Sequence, residues 1–564
     1  MPSIAESQAK KALPISRGWL FLFLIIIFVV FVRTRLLEIP LERDEGEYAY
    51  MGQLILQGIP PYGEAYNMKF PGTYLMYAGI MAVFGQTTEG IHIGLIIVNC
   101  AAIWMVYLLA RKIVGDIPAA LAGGTYGVLS LSSSVFGFAA HATHFIVLPA
   151  LGGTLLLLHA LEREKPYLYL SSGTLLGMSV VMKQSGIFFV LFAIVYILYN
   201  RMAAGSVRPL KGLFVRLGIF CLGASMPLLI TALWLYLAGV FPRFWFWTVT
   251  YASRYATQVS LPDALLRLKN SFLQVADGFF LFWMFASLGF IVMLFPRQRV
   301  YDKDSSPNDI ITAQEQQSGV KTDKALVLFF VFFSFLSVLP GFYFRAHYYV
   351  TFLPAVSLLF GIFIHFLISG SLAFFRVRFP RLIGVGIFIA AATIGVIRQR
   401  DDLFADNPLR LSGLIYSGNP FPESLEIARF IEQRTAPNDR IAIFGSEPQI
   451  FFYAKRRSAT GYIYMYSLME IHEYALAMQK EMTAEVEASK PKFLIDVTAG
   501  ESWSQQEGSE NHIFKWMEGY IADNYNLVGI VDVIPPDMSL YKWYEDAKNY
   551  KAQSPWPLLI YERR

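Results

Sequence analysis

Long apolar runs recur through the first four hundred residues and constrain this chain more than any other feature. Stretches near the roughly 20 residues that cross a ~30 Å hydrocarbon core lie at about 18–39, 89–114, 117–137, 143–161, 167–183, 184–200, 213–239, 278–296, 325–343, 348–370 and 380–398. Eleven such runs predict an α-helical polytopic membrane protein, because a backbone in lipid must satisfy its own polar groups and a helix does so within one segment. The charge content agrees. Asp, Glu, Lys and Arg make up 16% of the chain, where soluble domains carry about 25%. Residues 167–200 form one apolar stretch broken at Lys183-Gln184, which reads as two spans meeting there. Residues 72–85 are apolar but too short to cross, and are expected to lie along the interface on Tyr74 and Tyr77.

Orientation follows from the basic residues of the short loops. With the N-terminus inside, the inner loops hold Arg111-Lys112, Arg163, Lys165, Arg201, Arg208, Lys211 and Arg216, then Arg297, Arg299, Lys303, Lys321, Lys324, Arg376, Arg378 and Arg381. Lys10, Lys11 and Arg17 precede the first run in the manner of a signal peptide. No small-residue cleavage site follows, so an uncleaved anchor is expected. Cys100 and Cys221 both stand in apolar runs, which indicates no disulfide framework. Eleven spans then place residues 400–564 outside, together with Asp44, Lys69, His141, His144, Lys183 and Arg345. The unusual polar residues at span ends converge on one face.

The expected organisation is a membrane part over 1–399, with a first outer loop at about 40–88, a linker at 400–420, and an outer domain over 421–564. The linker carries Asn407-Pro408 and Gly418-Asn419-Pro420. The membrane part is net basic and the C-terminal part net acidic, an asymmetry that marks distinct environments. Apolar spacing over Ser424–Arg434 predicts a helix and Arg440–Gly445 a strand into a turn. Helices near 470–488 and 512–523, with strands at Lys492–Val497 and Leu527–Ile534, complete a small α/β domain with a partly parallel sheet. No zinc spacing, nucleophile elbow, P-loop or dinucleotide fingerprint occurs. Arg456-Arg457 is too small a basic patch for nucleic acid.

Within the membrane part, Glu42 to Tyr50 packs four carboxylates into six residues directly after the first apolar run. Tyr66-Asn67-Met68-Lys69-Phe70-Pro71-Gly72 follows, and Lys69 is the only lysine before residue 112 outside the N-terminal tail. Charges this close to a membrane boundary need solvation or partners. They read either as a loop marking a helix exit or as a reaction centre. Arg345-Ala346-His347-Tyr348-Tyr349 reads either as a topological anchor or as a phosphate contact, since guanidinium offers bidentate donors to phosphate oxygens. Trp245, Trp247, Tyr251 and Tyr255 either anchor the outer segment at headgroup depth or form a wall against a lipid-linked substrate. His141 and His144, three apart, are satisfied polar residues at a span end or a metal pair.

Asp44-Glu45-Gly46-Glu47-Tyr48, Asn67-Met68-Lys69-Phe70-Pro71-Gly72, Lys183-Gln184 and His347-Tyr348 with Leu353-Pro354 occur in an order that resembles the GT-C glycosyltransferases of the family 39 and protein O-mannosyltransferase-like group. The resemblance covers most of residues 18–400, and Phe444-Gly445-Ser446-Glu447-Pro448 with Tyr462–Tyr466 extends it weakly outward. It implies a GT-C fold that takes a polyprenyl-phosphate sugar on the extracytoplasmic side of a bacterial inner membrane and inverts the anomeric centre. It also implies a catalytic acidic residue in the first outer loop, which maps onto Asp44. The Lys-Pro-Pro-like motif maps onto Lys69, Phe70 and Pro71, with Phe70 departing from proline. The second acidic residue of some relatives has His141 and His144 in its place, which puts a two-carboxylate or carboxylate–metal scheme in doubt.

The expected roles follow from residue chemistry and the resemblance together. Asp44, with Glu45, is the catalytic group, a carboxylate able to take the proton of an attacking hydroxyl. Lys69, Arg345, His347, Tyr348 and Lys183 would hold the donor phosphate, whose leaving charge favours fixed cations. Glu47, Tyr66, Asn67 and His144 are assigned to the acceptor or to ordering the loop, with a solvated helix face as the plain alternative for Glu47. No cofactor is required, no metal ligand is assigned, and a divalent metal is compatible with the pattern without being indicated by it. The expected partners are a polyprenyl-phosphate sugar, membrane lipids and an extracytoplasmic acceptor, with no nucleic acid. The competing readings are a transporter or flippase of a lipid-linked sugar, which should place ionisable residues or broken helices at mid-membrane, and a non-catalytic envelope-assembly partner acting through its outer domain.

Overall fold

The structure, a computed structural model, describes residues 17–203, 210–295, 324–371, 379–534 and 538–564. The basic residues expected in inner loops at Arg208, Arg297, Arg299, Lys303, Lys321, Arg376 and Arg378, and the N-terminal Lys10 and Lys11, lie outside the described residues. All eleven apolar runs are helical. They form α1 (Arg17–Arg35), α4 (Thr88–Val114), α5 (Asp116–Leu129), α6 (Ala142–Arg163), α7 (Pro166–Met182), α8 (Ile187–Ala203) and α9 (Leu210–Leu237), then α11 (Phe280–Leu294), α12 (Lys324–Leu336), α13 (Leu353–Phe366) and α14 (Pro380–Arg398). Between them come α2 (Arg43–Leu56), α3 (Gly72–Phe84) and α10 (Leu261–Asp277). The chain is an integral membrane protein.

The spans are less uniform than the runs suggested. Among the described residues six helices are long and apolar enough to cross alone, and seven if the bent pair α10 and α11 counts as one. Three expected spans stop short at the same end. The run at 117–137 leaves helix at Leu129, that at 325–343 at Leu336, and that at 348–370 begins as helix only at Leu353. The residues released, 130–141 and 337–352, are turns and 3-10 segments. Irregular backbone at such depth survives only where protein groups take up its hydrogen bonds. Arg33 does so, donating from Nη1 to Gly137 O and from Nη2 to Ser130 O, both at 2.9 Å. As expected, α7 ends at Met182, and a 3-10 turn at Gln184–Gly186 separates it from α8.

Two expectations are corrected. Tyr74 and Tyr77 of α3 are fully buried rather than spread along the interface. Their hydroxyls donate to Glu47 Oε1 and Ala140 O at 2.6 and 2.8 Å, so α3 packs inward beneath the first outer loop. The segment after α9, read only as an aromatic stretch, contains a π turn over Phe246–Tyr251 and the 17-residue helix α10. A bend of 112° separates α10 from α11.

Residues 400–420 carry short helices at Arg400–Leu403 and Pro408–Ile415. Beyond them lies a six-stranded sheet of order β2-β1-β3-β6-β4-β5, formed by β1 (Arg440–Phe444), β2 (Arg457–Ser458), β3 (Phe493–Val497), β4 (Tyr525–Asp532), β5 (Leu540–Trp543) and β6 (Leu558–Arg563). β2, β1 and β3 are parallel, whereas β6 pairs antiparallel with both β3 and β4. Helices at Glu423–Glu432, Ala475–Ser489 and His512–Asn524 cover it. The sheet presents its Gly445–Glu470 loops to the first outer loop, where the site forms.

Candidate active site

Helix α2 carries the acidic stretch, and nearly all of it is buried, so each carboxylate must have found a partner. The helix starts on a capping box. Glu42 accepts from Glu45 N at 2.9 Å while Glu45 reaches back to Glu42 N. At 100° per residue, Arg43, Gly46 and Tyr50 share one face and meet the outer domain. Arg43 donates to Ser446 O (2.6 Å), Glu447 Oε1 (2.7 Å), Asn419 Oδ1 (2.8 Å) and Tyr466 Oη (3.0 Å). Gly46 allows the close approach, since a Cβ there would sit 2.6 Å from Gln449 N. Asp44, Glu47 and Tyr48 share the next face and surround Lys69. Glu45 turns toward the membrane helices.

Lys69 Nζ donates to Asp44 Oδ1 at 2.8 Å and Glu47 Oε2 at 2.7 Å, and stands 4.6 Å from the centre of the Tyr48 ring. Its segment is fixed by Tyr62, whose hydroxyl donates to Lys69 O (2.6 Å), and by Gln184, whose Nε2 donates to Met68 O (2.7 Å). The break at Lys183-Gln184 therefore braces the first outer loop. Burial alone would push the Asp44 carboxyl up. The Lys69 ammonium above all, with the Arg345 guanidinium behind it, overrides it and holds Asp44 well below the usual carboxylate range. Burial pushes Lys69 down, and the Asp44 and Glu47 carboxylates carry it well above the usual ammonium range. The Tyr464 hydroxyl also donates to Asp44 Oδ1, at 3.2 Å. Oδ2 accepts no hydrogen bond from the described residues and lies 3.9 Å from His347 Nε2.

Two cavities meet at Asp44, and both are lined by Asp44, Arg345, His347 and Tyr464. The first, of about 200 Å³, adds Lys69, Lys183, Tyr348 and the aromatic wall of Trp247, Tyr251 and Tyr255. Lys183 sits 3.8 Å from the Tyr348 ring centre, and Arg345 lies against Tyr343 and Tyr466. Among the described residues neither cation forms an ion pair. The second cavity, of about 400 Å³, is more polar and is walled by Arg267, Asn270 and Gln274 of α10.

The same architecture occurs in solved structures. ArnT from Cupriavidus metallidurans bound to undecaprenyl phosphate superposes with a TM-score of 0.55 at 14% identity, covering 96% of this chain and 98% of that one. Its apo state gives 0.53 at 16% identity over the same shares. The Archaeoglobus fulgidus oligosaccharyltransferase in complex with Zn and sulfate gives 0.52 at 12% identity, covering 93% of this chain and 73% of that one. Residues 69–237 match the family model for dolichyl-phosphate-mannose-protein mannosyltransferase. No curated protein matches the sequence. The fold is that of the GT-C glycosyltransferases.

Set in this GT-C frame, the expected site residues divide. Asp44, Lys69, Lys183, Arg345, His347, Tyr348, Tyr66 and Asn67 all line the first cavity. Lys69 is already committed to two carboxylates, so its first effect is on Asp44. Glu45 lines neither cavity. It accepts from Ala140 N (2.6 Å) and lies 3.2 Å from His92 Nε2, which ties α2 to the membrane helices. Glu47 is fully buried between Lys69 and Tyr74 and is not a solvated face. Tyr66 bonds Glu485 at 3.0 Å and stacks on Trp247, while Asn67 Oδ1 accepts from Met68 N. His144 is buried away from both cavities, and neither ring nitrogen has a partner among the described residues.

His141 parts from His144 and joins the site. Its ring stacks on His347 at 4.0 Å, and Asp44, His141 and His347 each bring one donor atom to within 4.8 Å of the others. One carboxylate and two imidazoles form a set that suits a divalent cation, distinct from the His141 and His144 pair considered from spacing.

Tyr464, Tyr466 and Glu470 of the outer domain also line the first cavity. The tyrosine run at 462–466 was visible in the sequence only as a faint resemblance, and α10 gave no local sign of facing a cavity.

Proposed function

We propose that this protein is an inverting glycosyltransferase that moves a sugar from a polyprenyl-phosphate donor to an extracytoplasmic acceptor. The observation that carries the reading is Asp44, a buried carboxylate that lines two cavities, with one oxygen held by Lys69 and Tyr464 and the other accepting no hydrogen bond from the described residues. The aromatic first cavity suits the prenyl phosphate, with Arg345 and Lys183 free to take its oxygens. The acceptor hydroxyl attacks the anomeric carbon from the Asp44 side as the bond to the phosphate oxygen breaks on the opposite face, and a single displacement inverts the centre. The proton passes to Asp44 Oδ2, and the leaving phosphate keeps the electron pair beside the two cations.

A carboxylate held low is a weak base. The arriving phosphate cancels part of the positive field at Asp44, which raises its pKa toward a useful range as the donor binds. General-base help of this kind is worth about 10²–10⁴ in rate.

Product analysis by mass spectrometry tests the reading. Purified protein is incubated with a panel of polyprenyl-phosphate sugars and envelope lipid extract, beside Asp44→Asn. One donor should be consumed by wild type, with a loss of about 10²–10⁴ in the variant and no loss of folded protein. A fully active Asp44→Asn protein overturns the mechanism.

A further inference from the structure

We propose that the loop over residues 341–344 is held under backbone strain to aim Arg345 at the donor phosphate, and that Tyr343 is the positioning residue that maintains the strain. This rests on the glycosyltransferase reading above. Gly341, Phe342 and Phe344 have φ of 74°, 56° and 47°, all in the left-handed region. Glycine takes that region freely, whereas a bulky residue there is strained by its own Cβ against the backbone. Among the described residues, no other pair of such non-glycine positions falls within three residues. Phe136, Glu164, Lys455, Lys490 and Ser504 share the conformation, but each caps the C-terminal end of a helical segment, a common use of it. Phe342 and Phe344 are not such caps.

Strain of this kind persists only where the surroundings over-determine it. On one side Tyr343 does so. Its ring stacks on Tyr255 with centres 4.7 Å apart, and its hydroxyl donates to Gln258 Oε1 at 3.0 Å. Gln258 in turn donates to Glu470 of the outer domain at 3.1 Å. On the other side Ser271 of α10 donates to Phe344 O at 2.5 Å. Phe342 itself is 36% exposed, so burial of its ring is not what fixes the loop. Arg345 follows directly and lines both cavities. With no ion pair among the described residues, its guanidinium is aimed by the loop and by the flanking rings of Tyr343 and Tyr466, 5.8 and 6.0 Å away. A free arginine loses side-chain freedom when a phosphate arrives, and one already aimed loses less, which strengthens binding. Right-handed φ at 342 and 344 would turn the chain and carry residue 345 off the cavity wall.

The test uses the full chain in lipid nanodiscs, with undecaprenyl phosphate as the probe. Phe342→Ala removes the ring and keeps the Cβ, whereas Phe342→Gly removes both, so the difference between them reports the strain. The glycine variant should melt at a higher temperature than the alanine variant, because only glycine accepts positive φ without strain. It should also bind undecaprenyl phosphate about tenfold more weakly, since the relaxed loop no longer aims the guanidinium. In an Arg345→Gln background the two should bind alike, because the loop then has nothing to aim. Tyr343→Phe, which removes only the hydroxyl, should weaken binding about fivefold with Arg345 present and leave it unchanged in Arg345→Gln. Equal melting or equal binding of the Ala and Gly variants overturns the proposal. So does a Gly or Tyr343→Phe effect that persists without Arg345. Arg345→Gln that binds undecaprenyl phosphate as the wild type does counts instead against the donor reading.

Discussion

Asp44 keeps its charge in a buried position because Lys69 and Tyr464 share one of its oxygens. Tyr464→Phe removes the outer domain's part in that arrangement without removing the ring. A hydrogen bond to a charged acceptor is worth about 1.5–3 kcal/mol, so kcat should fall at least about tenfold with donor KM little changed, which steady-state kinetics would read. An unchanged kcat would show that Lys69 alone orients the carboxylate. Glu470 is the second informative residue. Burial raises its carboxyl to about 6, with Tyr251 and Gln258 donating to it at 2.5 and 3.1 Å. Because its folded pKa is raised, the folded protein holds a proton there that the unfolded chain releases near its ordinary value. That contribution to stability is present at lower pH and is lost as pH rises through about 6. The anion formed above that point lines the first cavity, proposed above to take the prenyl phosphate. Undecaprenyl phosphate affinity should therefore weaken from about pH 5 to about pH 7 more in wild type than in Glu470→Gln. The phosphate's own titration is common to both proteins, and parallel profiles would dismiss the effect.

Among the elements, α2 joins the two parts of the molecule. Arg43 is bound to Glu447, which is fully buried. Removing one partner of such a pair strands the other, at a cost of about 3–5 kcal/mol. Arg43→Met should lower stability by that order in thermal unfolding, and adding Glu447→Gln should recover part of it. An additive double variant would mean that the two residues do not act as a pair. This element also shows how much could be read in advance. The apolar runs, the break at Lys183-Gln184 and the acidic cluster were legible because span length, helix breaking and buried charge are local properties. The early ends at Leu129 and Leu336 were not. They depend on partners such as Arg33, about a hundred residues away, that satisfy the irregular backbone. Helix α10 was missed because its apolar and polar positions alternate by face within a segment with too little net hydropathy to read as a span. β6, which pairs between β3 and β4, depends on strands far from it in sequence. Tyr464 reaches Asp44 across 420 positions, a contact no local pattern announces.

At the scale of the whole molecule, the outer sheet, the two cavities and α10 stand at one end of the helix bundle. The opposite end collects basic residues at Arg111, Lys112, Arg163, Lys165, Arg201, Arg216 and Lys324. Some are paired across helices, as in Lys112–Glu162 at 2.6 Å and Arg216–Glu164 at 3.0 Å. Basic residues at short-loop ends are retained on the cytoplasmic side, so the site should face away from the cytoplasm. The chain's two cysteines make this testable. In a Cys100→Ser, Cys221→Ser background, Ser504→Cys on the exposed outer domain should react with a membrane-impermeant maleimide in intact cells. Lys165→Cys, between α6 and α7, should react only after permeabilisation. The reverse pattern would put Asp44 on the cytoplasmic face, where soluble activated sugars are at hand and a lipid-linked donor has no special advantage. It would leave the aromatic cavity beside Arg345 and Lys183 without the lipid-linked occupant proposed for it.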